Sequence, residues 1–267
     1  MVLRIPKCFR YPRVIVIAVW IAINIWFLKS EIIPRGVFGA PAGYDAVIDS
    51  GLMHRDSWMR IVDGDRTIGY SNSRIDIDEY TPGGRYLLLN KTEAKLPLFG
   101  VEHPTTIESR IALNTDLKLE EFDISIDSGD IQVQLHGKHI ENQVFEISFK
   151  GPITLPATRL TLPRNAMILP PTAEIGLRRM RPGRKTTLHV FDPLTMQATP
   201  LTVEALRREE LDHRDNTYTV TVLAMTYQGM TLHSWVADDG TVLIQETPLG
   251  WILEECDPDE AMDFMER

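Results

Sequence analysis

SWMRIVDGDRTIGYS, residues 57 to 71, decides the fold. Ser57 to Val62 and Arg66 to Ser71 are two short runs with apolar and polar residues interleaved, and Asp63-Gly64 between them supplies the positive φ that a tight turn needs. The stretch therefore predicts a β-hairpin. The same pattern recurs along the chain. Pro82-Gly83-Gly84 separates Arg74 to Tyr80 from Tyr86 to Leu96, Ser128-Gly129 separates Leu117 to Ile126 from Ile131 to His136, and Gln228-Gly229 and Asp239-Gly240 punctuate the last segments. Ile75, Ile77 and Tyr80, like Ile131, Val133 and Leu135, nearly alternate, as expected where one face packs and the other meets water. About ten strands follow, with no βαβ rhythm. The expected fold class is mainly β, with one curved antiparallel sheet over 57–256.

Outside the sheet, one segment carries a different period. Residues 165–180, NAMILPPTAEIGLRRM, place Ala173, Ile175, Leu177 and Met180 after a capping Thr172, with Arg178, Arg179 and Arg181 where cations suit a helix C-terminus. A helix near 167–180, covering the apolar face of the sheet, is expected. A second, short helix is expected in the acidic tail 257–267, with Pro258 at its first position and Asp259 and Glu260 in its first turn.

Before the sheet, Val14 to Leu28 is an uncharged apolar run behind Arg4, Lys7, Arg10 and Arg13. Fifteen residues rise only about 22 Å as a helix, short of the roughly 30 Å hydrocarbon core, so the span recruits its flanks, with Arg13 and Lys29 snorkelling. The expectation is a cytoplasmic lead at 1–13, a transmembrane anchor at 14–33 and a Pro- and Gly-punctuated linker at 34–56. The alternative is a cleaved signal peptide, but Lys29-Ser30-Glu31 follows the run instead of a small-residue cleavage site. The basic lead places the N-terminus in the cytoplasm and the β domain on the periplasmic, extracytoplasmic side of an inner membrane. Cys8 and Cys256 then lie on opposite sides of that membrane and cannot pair.

Charge narrows the partners. The first 30 residues carry five cations and no acid, so residues 31–267 carry −14 of the net −9. Such a body disfavours nucleic acid and anionic lipid surfaces.

Several short motifs invite chemical readings, and most resolve to bland ones. Cys256 sits among Glu254, Glu255 and Asp257, charge of the wrong sign for a thiolate nucleophile. His136-Gly-Lys-His139 would be a ligand pair only across a Gly-Lys turn. Glu141-Asn142 is the more polar turn, and it leaves the two histidines on opposite faces of one strand. Glu209, Glu210, Asp212, His213 and Asp215 read as a solvated loop, Asn90-Lys-Thr92 as a chance glycosylation sequon, and Leu155-Pro-Ala-Thr-Arg159 as only superficially like a sortase signal. Trp235 and Trp251 read as core or rim aromatics. No catalytic, metal or cofactor residue and no cofactor is assigned, and the ligand-binding residues stay unassigned.

Trp58, Ile68-Gly69-Tyr70, Gly176-Leu177 with Pro182-Gly183, Phe191-Asp192-Pro193, Trp235-Val-Ala-Asp-Asp-Gly240 and Pro248-Leu249-Gly250 together resemble a bacterial β-rich domain found N-terminal to transglutaminase-like domains. They are also similar to DUF3108-type envelope proteins. The resemblance covers about 57–256 and implies a LolA/LolB-like half-barrel wrapped around a single helix, with an apolar interior. No counterpart of the longer relatives' catalytic domain is expected in residues 1–267. Fold does not carry a reaction, so three functions of different classes follow. The first is a membrane-anchored, non-catalytic binding or scaffolding module for an apolar ligand or a protein partner. The second is an accessory subunit of a membrane complex, and the third is a hydrolase, for which no nucleophile, base and orienting group assemble.

Overall fold

The structure is a computed structural model. It describes Gly43, Tyr44 and Ile48 and, from 56 to 265, all residues but 79–80, 82–83, 99–100, 130, 153–154, 164, 170–176, 178–179 and 193–196. The expected lead, anchor and most of the linker lie outside the described residues. Among those described, no helix is long and apolar enough to cross a membrane.

The hairpin at 57–71 forms as expected: β1 (Asp56–Asp63) and β2 (Arg66–Asp78) turn through Gly64, whose φ is 60°. Alternation then carries the chain through β3 (Arg85–Leu98), β4 (Val101–Leu113), β5 (Leu119–Ser128), β6 (Ile131–Glu141), β7 (Val144–Lys150) and β8 (Leu155–Thr161), each antiparallel to the last. A second series follows: β9 (Ala166–Ile168), β10 (Lys185–Asp192), β11 (Gln197–His213), β12 (Asn216–Tyr227), β13 (Met230–Ala237), β14 (Val242–Glu246) and β15 (Ile252–Glu255). All join one 15-stranded sheet in the order β8 to β1, then β15 back to β9. Among the described residues, fifteen strands replace the ten or so read from turn signals, because some turns, such as Asn114 to Lys118 between β4 and β5, lack glycine.

The chain passes from one edge of this sheet to the other in four residues, 162–165. Laid flat, fifteen strands would hold those edges roughly 67 Å apart, whereas the link spans at most about 18 Å. The sheet must therefore curl until its two wings face each other. Phe122 on β5 meets Phe191 on β10 at 5.9 Å between ring centroids. Around them Leu113, Ile147, Met167, Ile168 and Leu188 are buried, forming one core shared by both wings. Gly137 makes room for this contact, since a Cβ there would lie 2.2 Å from the Phe122 ring.

Two expectations are corrected here. Within 167–180, Met167 and Ile168 belong to β9, which pairs parallel with β10, and the described Leu169, Leu177 and Met180 are not helical. The run Ala166-Met-Ile is wholly buried between wings, where a strand hands its backbone bonds to β10. The interior is thus filled by side chains from the two wings, among the described residues, and not by a helix. The linker 34–56 is also not all spacer. Tyr44 and Ile48 join the core, and the Tyr44 hydroxyl accepts from the Ile168 N–H (2.8 Å) and donates to the Ile168 carbonyl (3.2 Å). This clasps the otherwise open edge of β9, and full burial holds the phenol pKa well above its ordinary value.

The tail helix forms as expected: α1 (Pro258–Met265) has Asp259 and Glu260 in its first turn. It lies on the outer side of the sheet, its buried Ala261 packing with Tyr70, Trp58 and the buried Cys256. Phe264 receives Lys95 Nζ at 5.3 Å from its ring centroid, and Arg214 pairs with Asp257 and Glu260.

Candidate functional site

Strand pairing dictates which side chains share a face. On the inner face of β2 to β7 one row reads Ser73, Asn90, Ser109, Ile124, Leu135, Phe149. The two rows flanking it point the other way. One is Asn72, Lys91, Glu108, Ser125, Gln134, Lys150, and the other is Arg74, Leu89, Arg110, Asp123, His136, Ser148. These twelve side chains line a hollow of about 790 Å³ on the outer face, with backbone of the inner row as its floor. Crossing six strands, it runs about 24 Å.

The chemistry of this hollow is polar and mixed in sign. Arg74, Lys91, Arg110 and Lys150 contribute four cations against Glu108 and Asp123. A surplus of positive charge here stands out in a body of −14. Some of the cations are engaged: Lys91 lies 2.6 Å from Glu93 and Arg74 is 3.4 Å from Asp76. The hydrogen bond to Glu93, with the charges of Glu93 and Glu108, holds the Lys91 pKa above its ordinary value. Arg110 is held loosely, 4.0 Å from Asp123, and Lys150 has no carboxylate partner among the described residues. These two cations remain available to an anion.

Beside Arg110, the hairpin of β5 and β6 sets Asp123 directly opposite His136, and His136 Nδ1 bonds Asp123 Oδ1 at 2.7 Å. Glu121, two residues before Asp123 and on the same face, completes a group whose donor atoms all lie within 4.8 Å of one another. Comparing His136 with His139 along one strand does not reveal this trio, because its members lie across the hairpin. The register could have found it: Ser128 pairs with Ile131, so each step back along β5 is matched by a step forward along β6. His139 is separated from His136 as expected. It packs on Phe145 and lines a different hollow of about 200 Å³ with Asn114, Leu119 and Leu162.

The other motifs fall where packing puts them. Asn90 is buried on the inner face, donating to Ser71 and Ser73 Oγ at 2.9 Å each, so the sequon is folded into the domain. Thr92 bonds Ser71, and Thr105 bonds Ser128 at 2.7 Å, making a polar seam through the inner face. Ser109 Oγ in that seam is buried without a hydrogen-bond partner among the described residues. The carboxylates from Glu209 to Asp212 and His213 form strand β11, not a loop. The long β11–β12 hairpin continues past a bulge at Ala205/Arg207, and its exposed positions accept charges without breaking the ladder. Trp235 Nε1 donates to Glu209 Oε1 at 2.9 Å, and Trp251 packs against the core. Leu155 to Arg159 is edge strand β8. Cys256 borders a hollow of about 310 Å³ with Trp58 and Asp257. Its thiol is pushed up to about 11 by burial, aided by Glu260 and Glu255, so it stays protonated at neutral pH.

No family model matches the chain, and no curated protein matches it. Among solved structures it is similar to a β-barrel-like protein of the domain of unknown function DUF1849 from Brucella abortus, with 13% identity, a TM-score of 0.45, and coverage of 77% of this chain and 99% of the other. It is also similar to a DUF1089 family protein from Pseudomonas aeruginosa, with 13% identity, a TM-score of 0.39, and coverage of 68% of this chain and 90% of the other.

Proposed function

We propose that the chain is a single-pass, membrane-tethered binding module of a bacterial envelope, its β domain extracytoplasmic, which holds a polar anionic partner in the outer-face hollow and does not transform it. The observation that carries this reading is the hollow itself: about 790 Å³, lined by side chains of six strands, with four cations against two carboxylates in an acidic body. Charged rims steer an oppositely charged partner and fix its register. The tether rests on Val14 to Leu28 with its basic lead. Kinship with the DUF3108-type envelope proteins belongs to the same proposal and rests on the short motifs quoted above.

The test uses the full chain in detergent, without divalent metal, and two probes: inorganic polyphosphate and a fluorescent polyglutamate peptide. Binding that weakens as salt rises, and falls by about tenfold or more in an Arg110→Glu, Lys150→Glu double variant, supports the reading. No binding at low salt, or binding the double variant leaves unchanged, overturns it.

One observation favours a second reading, an apolar ligand. On the inner face Ile75, Ile77, Leu88, Ile107, Ile124, Ile126 and Val133 are only partly buried, so that face retains apolar surface for an acyl chain. Lipid co-purifying in native mass spectrometry after mild extraction favours it, and an unliganded mass counts against it. The accessory-subunit form of the proposal predicts a stoichiometric crosslink in intact membranes that requires Val14 to Leu28.

A further inference from the structure

We infer that Glu121, Asp123 and His136 form a binding site for a first-row divalent transition metal, zinc above all, at the margin of the outer-face hollow. The inference deepens the anion-binding reading and rests on it only for what the metal would serve.

Each of the three offers one donor atom, and all lie within 4.8 Å of one another. They come from adjacent strands of one hairpin, where the ladder fixes Asp123 opposite His136 and places Glu121 on the same face. Zinc holds nitrogen and oxygen donors at about 2.0–2.2 Å, which sets them about 3.4 Å apart in a tetrahedral shell. His136 and Asp123 already meet at 2.7 Å, and the long side chain of Glu121 has the reach to close the remainder.

The neighbouring cations are the strongest objection, and their distances answer it. Arg85 gives its short contact to Asp78 at 2.9 Å and stands 3.6 Å from Glu121, and Arg110 stands 4.0 Å from Asp123. Neither guanidinium is hydrogen-bonded to these carboxylates. Glu121, with its side chain 26% exposed, accepts no hydrogen bond from any described residue. Two carboxylates thus keep lone pairs free beside an imidazole.

One imidazole with two carboxylates suits zinc and its first-row neighbours better than calcium or magnesium, which prefer all-oxygen shells. Three protein ligands leave a coordination position open. Asp123 and His136 line the hollow, so that position would face it and add positive charge where an anionic ligand sits.

The experiment titrates the full chain in detergent, stripped with EDTA and dialysed, with zinc chloride and separately with calcium chloride by calorimetry at pH 7.5. The expected result is one zinc per chain at micromolar affinity and no comparable calcium uptake. His136→Ala and, independently, Glu121→Gln should each weaken zinc by about tenfold or more while leaving the thermal melt unchanged, because both side chains lie on the outer face. If no stoichiometric zinc binds, or if zinc uptake survives both substitutions, the inference fails. The second result would direct attention to His213 with Glu255 or His233 with Glu246. Polyanion binding is measured in EDTA, so the two readings fail separately. Polyanion bound without zinc uptake removes only the metal site, and zinc uptake without polyanion removes only the hollow's ligand.

Discussion

The two faces of β2 to β7 share a backbone and a register yet answer to different demands. Inward, the row from Ser73 to Phe149 continues into Ile111, Phe122 and Ile147, buried against the opposite wing. Outward, the row from Arg74 to Ser148 sets guanidinium, carboxylate and imidazole groups around the hollow. A side chain on the inner face is fixed by its neighbours' volume, because protein interiors are packed to crystal density. One on the outer face is constrained by little besides charge. The inner face therefore specifies the fold, and the outer face is free to specify a partner.

That division breaks most visibly at Phe122. Phe122→Ala removes the ring that spans to Phe191, and should cost about 4 kcal/mol in chemical denaturation of the detergent-solubilised chain. Gly69→Ala comes next, at about 3 kcal/mol by the same measurement: an added Cβ would meet the Glu93 carbonyl oxygen at 2.3 Å, and backbone cannot step aside. Tyr44→Phe preserves shape but leaves the N–H and carbonyl of Ile168 unpaired, so about 2 kcal/mol should be lost, with faster hydrogen exchange at Ile168. A smaller effect tests the patch of the outer side that α1 covers. The Cys256 thiol titrates higher in the folded chain, near 11 against an ordinary 9, so its contribution to stability is complete below pH 9 and is lost as pH rises from about 9 to about 11. Melts across that window should fall less steeply for Cys256→Ser than for the parent. The smallest change belongs to the open outer face: Arg110→Glu with Lys150→Glu should alter stability by no more than about 0.5 kcal/mol. A large loss there would erase the distinction between the faces.

How much of this was legible in the sequence follows the range of the interactions. The hairpin at 57–71, the turn at Gly129 and the start of α1 at Pro258 are local, and each is read from adjacent residues. Tyr44 bonds a residue 124 positions away, and no neighbouring pattern announces it. Met167 and Ile168 open a stretch of helical composition, yet burial between two wings and the pairing of Ala166 to Ile168 with β10 overrode propensity there. Glu209 to His213 looked too charged for a strand, but a long exposed hairpin needs only its ladder. The trio Glu121, Asp123 and His136 was within reach once the turn after Ser128 fixed the register, because pairing across a hairpin is arithmetic.

The join between β1 and β15 has a consequence in time. Each wing is a meander of neighbours in sequence and can assemble piecemeal, whereas Met59 must find Glu255 across nearly the whole domain. Such distant pairings form late and slowly. Until β15 has been synthesised and docked, β1 presents a bare strand edge in the middle of the finished architecture, the point at which a stalled or shortened chain would associate with its copies.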